Sequence, residues 1–171
     1  MYPRVRDVLP VVFFSSSAQP GLFRKAAKQL SRTDSPGARS RARDLIVQSL
    51  YQMQIAGHDV AELLRQFHDR PDYQRVDQSY FDEALQTICE SRVSLEEDID
   101  ELADRPLSQL DPVERAILLL GLYELRSQPG VPYKVVINES VNLAKRFGAV
   151  DGHKYINALL DKAVKKLRPE T

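Results

Sequence analysis

DPVERAILLLGLYEL, residues 111–125, is the stretch whose reading decides the fold. Asp111 is suited to cap a helix, because its carboxylate can accept hydrogen bonds from the free N–H groups of the first turn. Pro112 then takes the first helical position, where a missing N–H costs nothing. From Ala116 to Tyr123 every residue is apolar or glycine. A helix with no wet face must be covered on nearly all sides by other elements. Ala116, the leucines and the flanking Glu114 and Glu124 argue against a strand. Gly121 costs about 1 kcal/mol relative to alanine in a helix interior, so its presence predicts close approach by a neighbouring helix.

Working outward, every neighbouring segment repeats with helical period. In ARSRARDLIVQSLYQMQIAG, from Ala38, the residues Ala42, Ile46, Leu50 and Met53 recur at helical spacing up to a stop at Gly57. Asp59 caps a short helix to about Phe67, and the polar His68–Arg75 stretch with Pro71 reads as a loop. Ser79 to about Asp104 is one helical region, with Phe81, Leu85, Ile88, Val93, Leu95, Ile99 and Leu102 as its apolar series. Its acidic run, Glu96-Glu97-Asp98 with Asp100, Glu101 and Asp104, reads as a solvated face or a partner surface. After the Pro129-Gly130 turn, Tyr133–Phe147 carries the stripe Val136, Ile137, Val141, Ala144 and Phe147, with Gly148 as its stop. Asp151 is placed to cap a last helix, whose stripe is Ile156, Leu159, Leu160, Ala163 and Leu167. No segment alternates like a strand for long. The fold class is all-α.

Residues 1–37 differ in character, with three prolines before Gly21, a Ser15–Ser17 run and Ser35-Pro36-Gly37. They predict a disordered extension, or residues read from an upstream start codon, in which Leu22–Leu30 can form a transient basic helix. The basic start and short apolar run faintly imitate a secretion or transit signal. The folded domain is residues 38–171.

The net charge of zero hides an asymmetry. Residues 1–50 carry nine basic and three acidic side chains, residues 51–130 seven and seventeen, and residues 131–171 eight and four. If the two basic ends fold onto one side, a neutral protein gains a patch for polyanions. No apolar run approaches the roughly 20 residues of a membrane span. The single cysteine, Cys89, excludes an internal disulfide framework and a cysteine-rich metal site, and fits a reducing compartment.

Motifs for catalysis are missing. There is no phosphate loop and no dinucleotide fingerprint. His58, His68 and His153 have no second ligand at zinc-site spacing, and the carboxylates lie in helical runs rather than as a marked acid–base pair. No cofactor, metal or catalytic residue is expected. A binding constellation is left. Arg39, Arg41 and Arg43 offer guanidinium forks for phosphates, in a first helical turn where the helix dipole favours acids instead. Lys154 and Tyr155 begin the last helix, whose N–H groups also attract anions. Tyr51 and Tyr155 fit either partly buried core positions or stacking on unpaired RNA bases.

These residues carry a resemblance. ARSRARDLIVQSLYQMQ, PVERAILLLGLYEL and VPYKVVINESVNLAKRFGAVDGHKYINALLDKA resemble the NusB family of bacterial transcription antitermination factors, over about residues 38–168. The resemblance implies a compact domain of two small packed helical bundles, about seven helices, without enzymatic activity. It implies pairing with NusE, a small-subunit ribosomal protein, and binding to boxA-containing single-stranded RNA of nascent transcripts, notably from ribosomal RNA operons. Other Nus factors and RNA polymerase complete the implied complex, in the cytoplasm and with no membrane. It places Arg39, Arg41, Arg43, Tyr51 and Tyr155 at RNA-contact positions, Asp151 at an assembly position and Glu114 at a contact to RNA or NusE. Ser40 interrupts what is often a longer basic run in this family; Arg24, Lys25 and Lys28 can contribute if the extension folds back. Two other readings stand beside it: a helical protein–protein adaptor, and the RNA-binding domain of a ribosomal RNA methyltransferase, which needs a further domain after Thr171.

Overall fold

The computed structural model describes residues 37–170. The expectations for the N-terminal extension, including the Leu22–Leu30 helix and Arg24, Lys25 and Lys28, lie outside the described residues. Among these, all regular structure is helical, as the patterning predicts. Seven α-helices follow in order: α1 (Ala38–Ala56), α2 (Val60–His68), α3 (Gln78–Glu90), α4 (Arg92–Leu102), α5 (Pro112–Ser127), α6 (Tyr133–Phe147) and α7 (Gly152–Leu167). Short 3-10 turns occupy Pro71–Arg75 and Leu107–Gln109.

The expected hub is α5. Asp111 Oδ1 accepts from the N–H groups of Val113 at 2.8 Å and Glu114 at 3.3 Å, which satisfies part of the first turn. Every residue from Ala116 to Leu125 is buried. The helix packs against α1, α3, α4, α6 and α7, so one bundle, of α1, α2 and α3, and another, of α4, α6 and α7, share it. Helix α1 runs antiparallel to it, with Arg43 meeting Glu124 and the Gln54 amide donating to the Pro112 carbonyl at 3.0 Å. Helix α7 runs parallel, with Gly152, Leu160 and Arg168 facing Glu114, Gly121 and Leu125.

The glycine expectation holds. A Cβ at Gly121 would lie 3.0 and 3.1 Å from the Leu160 δ-carbons on α7 and 3.2 Å from Ser140 Oγ on α6. The far end of α5 is closed by one side chain. Arg168 donates to the carbonyls of Leu125 at 2.9 Å, Glu124 and Gln128 at 3.0 Å, and Val131 at 2.7 Å. Last-turn carbonyls have no intrahelical partner, and a guanidinium fork can reach several at once.

Three local expectations need correction. The helical region expected over Ser79–Asp104 is two helices, broken at Ser91, whose hydroxyl bonds back to the Thr87 carbonyl. Such back-bonding competes with the helical ladder. The break turns Val93 outward, 69% exposed, while Leu95 and Ile99 stay buried. The expected loop before Arg75 contains a 3-10 turn that buries Tyr73 against Phe81, ring centroids 5.6 Å apart. Nor is the acidic run simply solvated: Asp98 is buried and paired with Arg126 and Lys166, and Glu96 binds Arg115 at 2.6 Å.

Gly121→Val is expected to lower the unfolding free energy by about 1–3 kcal/mol, the usual range for overpacking a filled core. Urea titration followed by circular dichroism checks this; an unchanged midpoint would mean that α7 can move aside freely.

Candidate nucleic-acid interface

The basic first turn of α1 divides into outward and inward arginines. Arg39, 43% exposed, donates through Nε and Nη2 to Asp77 Oδ2, each at 3.0 Å, and lies 4.3 Å over the Tyr80 ring. Arg41 is half-buried and donates from Nε to the Arg75 carbonyl at 2.7 Å. Arg43 points inward and only 5% of its side chain is exposed. Its Nη2 donates to Glu124 Oε1 at 2.8 Å, its Nε donates to the same carboxylate, and Nη1 reaches Glu139 Oε2 at 3.3 Å. Tyr80 Oη donates to Glu124 at 2.6 Å. Burial opposes the guanidinium charge, but Glu124 and Glu139 outweigh it and raise the Arg43 pKa. The expectation of Arg43 as a phosphate fork is therefore corrected, because its fork is spent inside the protein. The unfavourable dipole placement also has its explanation: acids on other elements pair with Arg39 and Arg43 of this turn.

Next in sequence, Asp44 pairs with Arg146 of α6. Burial pushes its pKa up to about 6 against the opposing pull of Arg146.

The second group gathers where α5 and α7 begin. Glu114 is only 9% exposed. A Cβ added to Gly152 would fall 2.6 Å from Glu114 Oε1, so the carboxylate lies against the backbone that opens α7. Negative charge is favoured there by the helix dipole, and any side chain at 152 would displace it. Burial, then the nearby Asp111, raises the Glu114 pKa, with Arg105 opposing. Asp151 does not cap α7 through its side chain, contrary to expectation. Its φ of 66° puts it in the left-handed region, which Asp tolerates better than most residues, and its carboxylate pairs with Lys154 at 2.9 Å. Lys154 is 72% exposed.

The two tyrosines are placed differently. Tyr51 is only 7% exposed. Burial, then Asp111, raises its pKa. Tyr155 is half-buried against the core, with its hydroxyl buried. Burial, then the Asp104 charge, raises its pKa. The guanidinium of Arg105 lies over its ring, 4.6 Å from the centroid.

The candidate residues thus fall into two groups at opposite ends of α5. Glu114 and Glu124 mark those ends, ten residues or about 15 Å apart along the axis. Arg39, Arg41 and Arg43 lie at one, and Tyr51, Glu114, Asp151, Lys154 and Tyr155 at the other. Sequence reading missed Arg105 and Gly152. Arg105 is fifty residues from Tyr155, with no periodicity linking them. Gly152 was visible only as half of an Asp-Gly pair between helices. Among the described residues, no group of three or more His, Cys, Asp or Glu is arranged to hold a metal ion, and no helix is long and apolar enough to cross a membrane. Cys89 is half-buried beside Met53, with sulfur atoms 3.7 Å apart, and burial raises its thiol pKa to about 11.

Comparison with known proteins gives a consistent match. The model of the NusB family matches residues 40–165. Transcription antitermination protein NusB of Shewanella amazonensis is 46% identical over 129 residues, covering 75% of this chain and 96% of that protein. The protein of the same name from Nitrosococcus oceani is 44% identical over 130 residues, covering 76% and 87%. The solved structure of T. maritima NusB aligns with a TM-score of 0.64 at 24% identity, covering 78% of this chain and 94% of that one, and shares the fold.

Two outcomes follow from the geometry. Arg43→Ala leaves the buried Glu124 without its cation and is expected to cost about 3–5 kcal/mol of stability, read from urea unfolding. For Asp44, the folded pKa of about 6 exceeds the unfolded value near 3.8, so between these pH values the native state binds more protons and loses stability as pH rises. The stability difference between the wild type and Asp44→Asn should therefore shift against the wild type from pH 4 to pH 6; a constant difference would contradict the assignment.

Proposed function

The chain belongs to the NusB family and is a transcription antitermination factor, and on that premise we propose that it acts by gripping single-stranded boxA RNA of nascent transcripts together with NusE. In this reading the domain of residues 38–171 works in the cytoplasm without catalysis. It gathers RNA, NusE, other Nus factors and RNA polymerase into a termination-resistant complex, notably on ribosomal RNA operons. The observation that carries the reading is the basic and aromatic set at two ends of one buried helix, the part-exposed Arg39 and Arg41 at one end and the exposed Lys154 with the half-buried Tyr155 at the other.

The division of labour follows from charge. Arg39 and Arg41 supply salt-sensitive attraction to phosphates. At the opposite end Glu114, Asp111 and Asp151 hold the local potential down, which suits contacts to uncharged bases. Asp151 and Glu114 are proposed to fix the start of α7 on α5 and, with it, the position of Lys154. NusE supplies a second RNA-binding surface, and joining two weak surfaces raises the affinity without new contacts.

Fluorescence anisotropy with boxA RNA, with and without NusE, at several salt concentrations tests this. Arg41→Ala is expected to weaken RNA binding and to lower the salt slope by about 0.7 per lost phosphate contact, while NusE binding survives. Binding to NusE without any RNA binding would favour a protein–protein adaptor and refute the reading.

A further inference from the structure

We propose that Arg75 is a further contact to the RNA backbone, forming one phosphate site with Arg41 and the uncapped start of α1. This deepens the reading above that the chain binds single-stranded RNA, and rests on it.

Arg75 ends the 3-10 turn Pro71–Arg75 and belongs to the segment whose summed charge is acidic. Nothing in its spacing links it to the arginines of α1; the fold brings it there. Tyr73 anchors the turn, buried against Phe81 and donating from its hydroxyl to Asp82 at 3.0 Å. The link that follows is fastened along the first turn of α1. The Arg75 carbonyl accepts from Arg41 Nε at 2.7 Å, and the Asp77 N–H donates to the Ala38 carbonyl at 3.0 Å. The Asp77 carboxylate holds Arg39. Arg41 and Arg75, from distant elements, are thereby set side by side.

The charge of Arg75 is not cancelled there. The acids nearest to it in sequence are both engaged, Asp72 with Arg70 at 2.6 Å and Asp77 with Arg39 at 3.0 Å. Arg75 itself is exposed and makes no ion pair among the described residues. Helix α1 has no side-chain cap at Gly37 and no acid in its first turn, so its first N–H groups present the positive end of the helix dipole. Phosphate suits this set. A guanidinium fork matches its geometry, and N–H groups at a helix start attract it. An uncharged base would leave two adjacent like charges uncompensated.

The test uses the full chain with NusE and labelled boxA RNA, read by anisotropy at several salt concentrations. Circular dichroism and urea midpoints confirm folding of each variant. Arg75→Ala keeps the carbonyl that Arg41 binds and removes only the exposed side chain. It should lower the salt slope by about 0.7 and weaken binding about fourfold at about 0.15 M salt, as one lost phosphate contact to a single strand does. Arg75→Lys keeps the charge and should retain most of the slope. Arg65→Ala is the control for net charge. Arg65 is 70% exposed on α2, and its neighbour Gln66 bonds to Gln52, eleven residues or about 16 Å along α1 from Arg41. Its removal should leave the slope at the wild-type value. An equal fall in slope for Arg65→Ala, a weaker Arg75→Ala with an unchanged slope, or a loss of NusE binding in place of RNA binding would each overturn the proposal. If wild-type protein with NusE does not bind boxA RNA, the proposed function fails and takes this inference with it. If the wild type binds, Arg41→Ala weakens it and Arg75→Ala does not, the Arg75 assignment alone fails.

Discussion

A helix left with no face for water obliges every other element to take a position around it. From Ala116 to Leu125, α5 is buried. Because protein interiors are packed as densely as organic crystals, helices cannot close on it at arbitrary places. Gly121 admits Leu160 of α7 and Ser140 of α6 at one level, and Arg168 closes the carbonyl end. The two bundles are thus one core with a shared axis. This makes the domain a rigid spacer between its two polar ends.

Charge then sets the register that apolar burial leaves loose. A buried ion pair is weak evidence for stability, since desolvation offsets most of the attraction. Its consequence for alignment is larger. Sliding α1 along α5 by one turn would bury Arg43 and Glu124 without each other, at a cost of about several kcal/mol. Tyr80 of α3 and Glu139 of α6 join the same cluster, so four helices are aligned by one set of hydrogen bonds. An arginine that the primary structure offers for RNA is thereby committed to the fold. Arg39 and Arg41 stay at its rim, both part-exposed.

The opposite end follows a different logic. A carboxylate from α5 meets the backbone that starts α7, and only glycine at 152 leaves room for it. Asp151, freed from capping, pairs with Lys154 on the surface. Acids therefore surround the residues proposed to touch bases. On the proposed function, the arginine end attracts phosphates and the more acidic end meets bases, a division between positioning and sequence recognition.

Periodicity and capping made most of the fold legible: the hub, its Asp111 cap, the Gly57 and Gly148 stops, the α7 stripe and the all-α class depend on residues within a turn or two of each other. The break at Ser91 was not legible, because a hydroxyl bond to the preceding turn leaves the hydrophobic series on either side unchanged. Of the candidate site, the sequence located basic and aromatic candidates near the two ends of the folded domain, and the matching stretches pointed to the family. What the sequence by itself determined is therefore what is local: helices, caps, the buried helix and the charge of each segment. Only the tertiary structure decided which charges remain outside. It turned Arg43 inward to Glu124, buried Tyr51 and laid Arg105 over Tyr155. Each of these pairings joins residues forty or more positions apart or sets a side chain's exposure, and neither is encoded in spacing along the chain.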